Sequence, residues 1–152
     1  GIAVGAKMKV IEVPGANGTL HTNYEGKAKA ALEVLIKENY DFVYIHVEAP
    51  DEMGHQGNTM NKIKAIEYLD QRIIKPVMEG MDNSGLDYRM LVLPDHPTPI
   101  RCRTHTDDPV PYMLYDSRKD KKSSLLFNEI DAGKSGNVIS EGHTLIGRLF
   151  NE

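Results

Sequence analysis

The sequence lacks the features that mark several large classes of protein. It contains one cysteine, Cys102, which excludes an internal disulfide framework. No apolar run approaches the roughly 20 residues that a membrane span requires, and the first residues lack the layout of a signal peptide. No Walker A or GxGxxG sequence is present, so nothing favours a nucleotide-binding loop. We therefore expect a cytoplasmic protein without a membrane partner.

Positive charge is scarce as well. The chain has 18 Lys and Arg against 22 Asp and Glu, which gives a net charge of −4 and a pI near 5.9. No block of basic residues offsets this balance, so a nucleic-acid partner is not expected. At 152 residues the chain is long enough to bury a core, and we predict one domain over 1–152.

Short apolar runs alternate with segments of helical periodicity. Four runs are predicted strands, at 9–13, 41–47, 90–93 and 112–115. Helices are predicted to begin near Thr22 and Asn58, within 124–132 and from Ser140. The second helix should bury one apolar stripe, weaken at Pro76 and stop by Gly85. That stripe consists of Ile63, Ile66, Leu69, Ile73 and Val77. The alternation predicts an α/β fold with a mostly parallel sheet sandwiched by helices.

An aspartate and a histidine follow each of two predicted strands. The second strand leads to Asp51 and His55, four residues apart in a predicted loop whose glycines permit a tight turn. The third strand stops at a proline and is followed by Asp95 and His96. Functional groups of an open α/β sheet collect at the carboxyl ends of its strands. The two pairs together therefore predict a metal site.

The donor types indicate which metals would bind. Mixed oxygen and nitrogen ligands suit Mn²⁺, Zn²⁺ or Fe²⁺ better than Ca²⁺. Two such clusters indicate two ions that clamp the oxygens of a phosphoryl group. One Asp–His pair in a loop is more often a solvated or capping pair, so the prediction depends on both pairs.

Other polar residues have alternative explanations. Arg101 and Arg103 flank the second cluster, and both phosphate binding and solvation remain open for them. Cys102 is expected to be a packed side chain rather than a catalytic thiol. The remaining histidines are expected to have structural or surface roles: His46 in the core, and His21 and His143 at the surface or as caps.

Several motifs carry a family resemblance. They are VIEVPGANG at 10–18, TNYEGKA at 22–28, EAPDEMGH at 48–55, KIKAIEYLD at 62–70, LPDHPTP at 93–99 and RTHTDDPVPY at 103–112. In this order they resemble the archaeal type of cofactor-independent phosphoglycerate mutases, which belong to the alkaline phosphatase superfamily. The resemblance extends over essentially the whole chain.

The resemblance implies two divalent metal ions, usually manganese, with Zn, Mg or Fe as alternatives. Asp51, His55 and His105 would hold one ion, and Asp95 and His96 would help to hold the other. The implied fold is alkaline-phosphatase-like and incomplete at its N-terminal side, with 1–152 as the C-terminal portion of one metalloenzyme domain.

The implied reaction interconverts 3-phosphoglycerate and 2-phosphoglycerate through a phosphoserine. No serine here matches the nucleophile's motif, so the catalytic residue stays unknown and the chain alone is expected to be inactive. The alternatives are another phosphotransferase or phosphatase of the superfamily, for example a homoserine-kinase-like enzyme, or a non-catalytic metal-binding fragment. The partner would be a small phosphorylated substrate, and an exposed sheet edge would favour self-association.

Overall fold

The computed structural model describes residues 2–119 and 123–151. They form two compact units. The first unit comprises the described residues of Gly1–Gly85 and Ile100–Arg103, and the second comprises those of Leu86–Pro99 and Thr104–Glu152. A single domain over 1–152 stays a prediction. Within the described residues, no helix combines the length and the apolar character needed to cross a membrane.

The first unit is helical. It contains α1 (Ile2–Gly5), α2 (Tyr24–Leu32), α3 (Ala49–His55), α4 (Thr59–Leu69) and α5 (Lys75–Ser84), with π-helical turns at Glu33–Lys37 and Asp70–Ile74. One of these helices begins, and another ends, where the sequence predicts. Asn58 caps α4 by accepting a hydrogen bond from the Asn61 N–H at 3.1 Å. Gly85, with φ 72°, ends α5 in the left-handed conformation.

The cap of α2 lies one residue later than predicted. Asn23 Oδ1 accepts the Gly26 N–H at 2.9 Å, and Asn23 Nδ2 donates to the carbonyl of Pro14 at 2.8 Å. Thr22 is buried, and its hydroxyl oxygen accepts the Asn17 N–H instead. The amide of Asn23 can serve both the helix and the preceding turn, whereas a threonine hydroxyl is already used by the loop.

The π turn at Asp70–Ile74 corrects the predicted apolar stripe. A π turn closes i→i+5 bonds and so contains more residues than an α-helical turn, which rotates the face that precedes it. Ile73 and Val77 are buried as predicted, whereas Ile63 and Ile66 are 45% and 53% exposed. Ala65 lies in the core in their place. The irregular turn comes just before the proline of α5, whose missing N–H is incompatible with a regular helix.

Two contacts hold α2 against the segment that begins with the second π turn. Gly80 lies so close to Leu32 that an added Cβ would be 2.7 Å from Leu32 Cδ2. The Arg72 guanidinium lies over the rings of Tyr24 and Tyr68, 5.0 and 4.8 Å from their centroids, and forms an ion pair with Glu25. Its hydrogen bonds lower the pKa of the Glu25 carboxyl. The two helical segments therefore share one packed face.

The predicted strands at 9–13 and 41–47 are not strands in the described residues. From 43 to 48 the backbone still alternates between half-buried and exposed positions, so one face is covered rather than both. His46 is on the exposed face beside Tyr44, with 6.2 Å between the ring centroids, so its predicted core position is wrong. A strand requires a hydrogen-bonded neighbour, and apolar content alone does not supply one.

The second unit contains the sheet. Its elements are β1 (Arg89–Val92), β2 (Met113–Asp116), α6 (Glu129–Lys134), a 3₁₀ turn at Gly142–Thr144 and α7 (Ile146–Asn151). Both strands lie within one residue of their predicted positions. α6 begins within the predicted segment 124–132 and extends two residues beyond it, and the last helix begins later than predicted. The strands pair antiparallel, with Met90 opposite Tyr115, so the predicted parallel pairing is wrong for these two. β1 is half-buried rather than fully buried.

A buried carboxylate anchors β2. Asp116 accepts hydrogen bonds from Arg118 Nη2 at 2.7 Å and Nε at 2.8 Å, and from Arg89 Nε at 3.0 Å, while Lys119 Nζ lies 3.6 Å away. Arg89 also donates to the carbonyl of Leu149 in α7 at 3.0 Å. The hydrogen bonds from Arg118, aided by Arg89 and opposed by burial, hold the pKa of Asp116 well below its ordinary value. This network ties β1, β2 and α7 together.

The Asp116→Asn variant should therefore be less stable and less sensitive to acid. A carboxyl whose folded pKa is depressed stabilises the fold above its unfolded pKa, about 3.9, and this contribution is lost as the pH falls further. We expect the wild-type melting temperature to fall steeply below about pH 4. The variant should melt several degrees lower at pH 7, with a weaker acid dependence. Asp107→Asn, at an exposed position of the same unit, is the control. Parallel pH curves for Asp116→Asn and the wild type would contradict the prediction.

Candidate metal centre

The first pair of predicted ligands lies on a helix. The predicted loop is α3, which begins after Glu48 with Pro50 in its first turn, where the missing proline N–H costs no helical bond. Asp51 and His55 are one helical turn apart, so their side chains share a face. Asp51 Oδ2 lies 3.4 Å from His55 Nε2. The predicted convergence of the pair thus comes from helical spacing, and the glycine turn predicted for it is wrong.

The second ring nitrogen of His55 is held by the backbone. His55 Nδ1 lies 3.0 Å from the carbonyl oxygen of Arg103. A carbonyl only accepts hydrogen bonds, so Nδ1 carries the proton in this contact. Metal-binding histidines commonly donate their other ring N–H to a carbonyl or a carboxylate, which fixes the tautomer and the ring orientation. The lone pair of the His55 ring therefore lies on Nε2.

The donor pair fits a divalent cation. With the proton on Nδ1, Nε2 presents a lone pair to the Asp51 carboxylate, so two acceptors face each other. Ligand atoms about 2.1 Å from an ion at a tetrahedral angle lie about 3.4 Å apart. The observed separation of Asp51 Oδ2 and His55 Nε2 is 3.4 Å. Carboxylate oxygen and imidazole nitrogen suit a transition metal such as Mn²⁺ or Zn²⁺.

The second unit brings three predicted ligands together. Asp95 and His96 follow β1 in a loop, and Asp95 Oδ1 accepts the His96 N–H at 3.1 Å. The His96 and His105 rings are in contact, with 3.6 Å between their centroids. A hydrogen bond at 3.1 Å from the Thr106 N–H to the carbonyl of Pro97 closes the chain beside them. The carboxylate of Asp95 is largely exposed, so this cluster is open to solvent.

The other sequence candidates are peripheral. His21 and His143 are exposed, as predicted. Cys102 is a half-buried free thiol. Both loop arginines have exposed side chains, and whether either binds phosphate stays a prediction. The carbonyl of Arg103 is the functional group that sequence analysis missed, because nothing in the residue type indicates a left-handed backbone there.

Comparison with known proteins identifies relatives with one description. The 2,3-bisphosphoglycerate-independent phosphoglycerate mutase of Methanothrix thermoacetophila is 49% identical over 150 residues, which cover 99% of this chain and 38% of the relative. A probable enzyme of the same name from Geobacter sulfurreducens is 49% identical, with 99% and 37% covered. The chain thus spans less than two fifths of the length of these relatives. The predicted family resemblance is confirmed.

Structural comparison and a family model agree with the sequence relatives. The PH0037 protein of Pyrococcus horikoshii superposes with a TM-score of 0.80 and 28% identity, covering 99% of this chain and 44% of that structure. Its likeness, together with the helices and small sheet described above, confirms the α/β class. Residues 3–142 match the family model described as Metalloenzyme superfamily. Because that match covers most of the sequence, the chain belongs to the metalloenzyme superfamily.

Proposed function

We propose that this chain is the metal-binding part of a phosphoglycerate mutase that interconverts 3-phosphoglycerate and 2-phosphoglycerate through a phosphoserine. The names of the sequence relatives support the reaction. Membership of the metalloenzyme superfamily supports divalent-metal binding. The observation that carries the proposal is the donor pair of α3, in which Asp51 Oδ2 faces His55 Nε2 at 3.4 Å.

The proposed ligand sets follow the family motifs. Asp51, His55 and His105 would hold one ion, and Asp95 and His96 would contribute to the other. The first set has three protein ligands within this chain, which is the number that catalytic sites commonly use. The second has two, so its affinity within this chain should be low. Manganese is the proposed metal.

The chain's own residues position donors rather than attack the substrate. α3 holds Asp51 and His55 on one face, so little side-chain freedom remains to be lost on binding. The carbonyl of Arg103 keeps the proton of His55 on Nδ1, away from the ligand atom. Divalent ions, when bound, would offset negative charge on the phosphoryl oxygens and activate a coordinated hydroxyl. The nucleophilic serine is proposed to lie outside this chain.

The substrate can be tested with a chimera. We would replace the matching segment of the Methanothrix thermoacetophila enzyme, 49% identical, with this chain and assay the product with Mn²⁺. Conversion of 3-phosphoglycerate to 2-phosphoglycerate, followed by ³¹P NMR, is expected within about tenfold of the parent rate, a loss of about 1.4 kcal/mol or less.

The control for this assay is the same chimera carrying Asp51→Asn, which should be inactive. Hydrolysis of 3-phosphoglycerate to free phosphate would favour a phosphatase, and phosphorylation of homoserine from ATP would favour a kinase-like relative. Either outcome would contradict the mutase proposal. A cytoplasmic location and self-association through a strand edge stay predictions.

A further inference from the structure

Arg103 has an unusual backbone for its residue type. Its φ is 54°, in the left-handed region that few side chains other than glycine and asparagine adopt readily. Such a conformation persists only where surrounding contacts hold it. Because φ and ψ set the direction of the peptide group, holding this residue also directs its carbonyl. That carbonyl is the one that contacts His55 Nδ1 at 3.0 Å.

The guanidinium of Arg103 is seated on a glycine. A Cβ added to Gly57 would lie 2.7 Å from Arg103 Cζ and 2.9 Å from Nη2, closer than real Cβ contacts come. Gly57 itself has φ 67° and lies two residues after the end of α3. Glycine at 57 permits the turn and leaves the space in which the planar guanidinium lies.

We propose that Arg103 is a positioning residue for His55, and that its side chain, seated on Gly57, holds the backbone whose carbonyl fixes the His55 tautomer. The chain of contacts runs from Gly57 to the Arg103 side chain, and from the Arg103 carbonyl to the His55 ring on α3. This arrangement presents Nε2 of His55 as a ligand atom before any metal binds. The metal-related part rests on the proposed function, whereas the tautomer does not.

Gly57→Ala tests the contact between Gly57 and the Arg103 guanidinium, and the chain offers a matched control. Gly85 has φ 72°, and nothing lies within 4 Å of a Cβ added there, so Gly85→Ala carries the same backbone strain without touching an arginine. Long-range ¹H–¹⁵N spectra of the metal-free chain report the His55 tautomer. The wild type and Gly85→Ala should hold the proton on Nδ1, and Gly57→Ala should shift it largely to Nε2.

Metal affinity is the second measurement. Loss of an outer contact to a metal-binding histidine typically weakens binding 10–100-fold. We expect Gly57→Ala to weaken Mn²⁺ binding by about 10–100-fold, as measured by equilibrium dialysis. Gly85→Ala should change the Mn²⁺ affinity by less than about twofold. If Gly57→Ala does not fold, Arg103→Ala against Arg101→Ala, both at exposed positions of one loop, makes the same comparison.

The two measurements separate the two proposals. An unchanged His55 tautomer in both Gly57→Ala and Arg103→Ala would overturn the positioning role. If the variants shift the His55 tautomer but the wild type binds no Mn²⁺, the positioning role is supported and the proposed metal function is contradicted. A shifted tautomer with weakened Mn²⁺ binding would support both.

Discussion

Replacing His55 with alanine is expected to weaken Mn²⁺ binding by the 152-residue chain more than about 100-fold, beyond what loss of an outer contact costs. The change removes Nε2, the nitrogen that faces Asp51 Oδ2 at 3.4 Å, and leaves a carboxylate as the ligand from α3. Equilibrium dialysis at neutral pH followed by elemental analysis measures the retained metal. Circular dichroism of each variant confirms that the fold is intact.

The ligand assignment predicts a ranking among three histidines. His105→Ala should match His55→Ala, because both belong to the proposed three-ligand set. His96→Ala should have a smaller effect, since its proposed ion has two ligands in this chain. His143→Ala, at an exposed position, is the control and should retain the wild-type metal content. Equal losses from all three ligand variants would contradict the assignment.

The Asp51–His55 pair illustrates what a sequence pattern can predict. The sequence predicts that the two side chains converge through a tight loop turn, whereas the structure brings them together because they are four residues apart on a helix. The glycines at 54 and 57 favour a loop over a helix in the sequence. Pro50 lies in the first turn of α3, where proline is compatible with a helix, and Gly54 is buried within it. The chemistry of the pair was therefore easier to predict than its backbone.

Helix α4 illustrates a second limit. The apolar residues from Ile63 to Val77 keep a regular helical period across Asp70–Ile74, so the pattern predicts one helix with a single apolar face that weakens at Pro76. The π turn there breaks the register, which exposes Ile63 and Ile66 and buries Ala65. No residue type specifies a π turn, and the nearby proline at 76 indicates only that regularity is lost somewhere before it.

Among the described residues, the predicted strands that form are the two that pair with each other. The runs at 90–93 and 112–115 were predicted correctly to within one residue, because they pair with each other inside this chain. The predicted strand at 41–47 has similar apolar content, and its exposure alternates from residue 43 onward, yet it forms no strand. Hydrogen-bond partners of a strand are long-range and leave no mark in local composition. For the same reason, local composition does not predict that the observed pair is antiparallel.

The chain alone is expected to have no mutase turnover, even when it binds metal. Transfer through a phosphoserine requires a nucleophile near the ions, and none of the serines of this chain lies in the motif context of the family. These serines are Ser84, Ser117, Ser123, Ser124, Ser135 and Ser140. The chain spans 38% of the length of its Methanothrix thermoacetophila relative, which leaves most of that enzyme unmatched.

The measurement compares the 152-residue chain with the chimera at equal concentration, with Mn²⁺ and 3-phosphoglycerate present. Because enzymes accelerate reactions by about a millionfold or more, loss of the nucleophile should leave the isolated chain below detection while the chimera turns over. Metal content of both samples, determined in parallel, separates absence of the ion from absence of the nucleophile. A chain that retains Mn²⁺ without forming 2-phosphoglycerate or a phosphorylated protein is the expected result. Mn²⁺-dependent turnover by the chain alone would require a nucleophile among its own residues, and phosphopeptide mapping would then identify it.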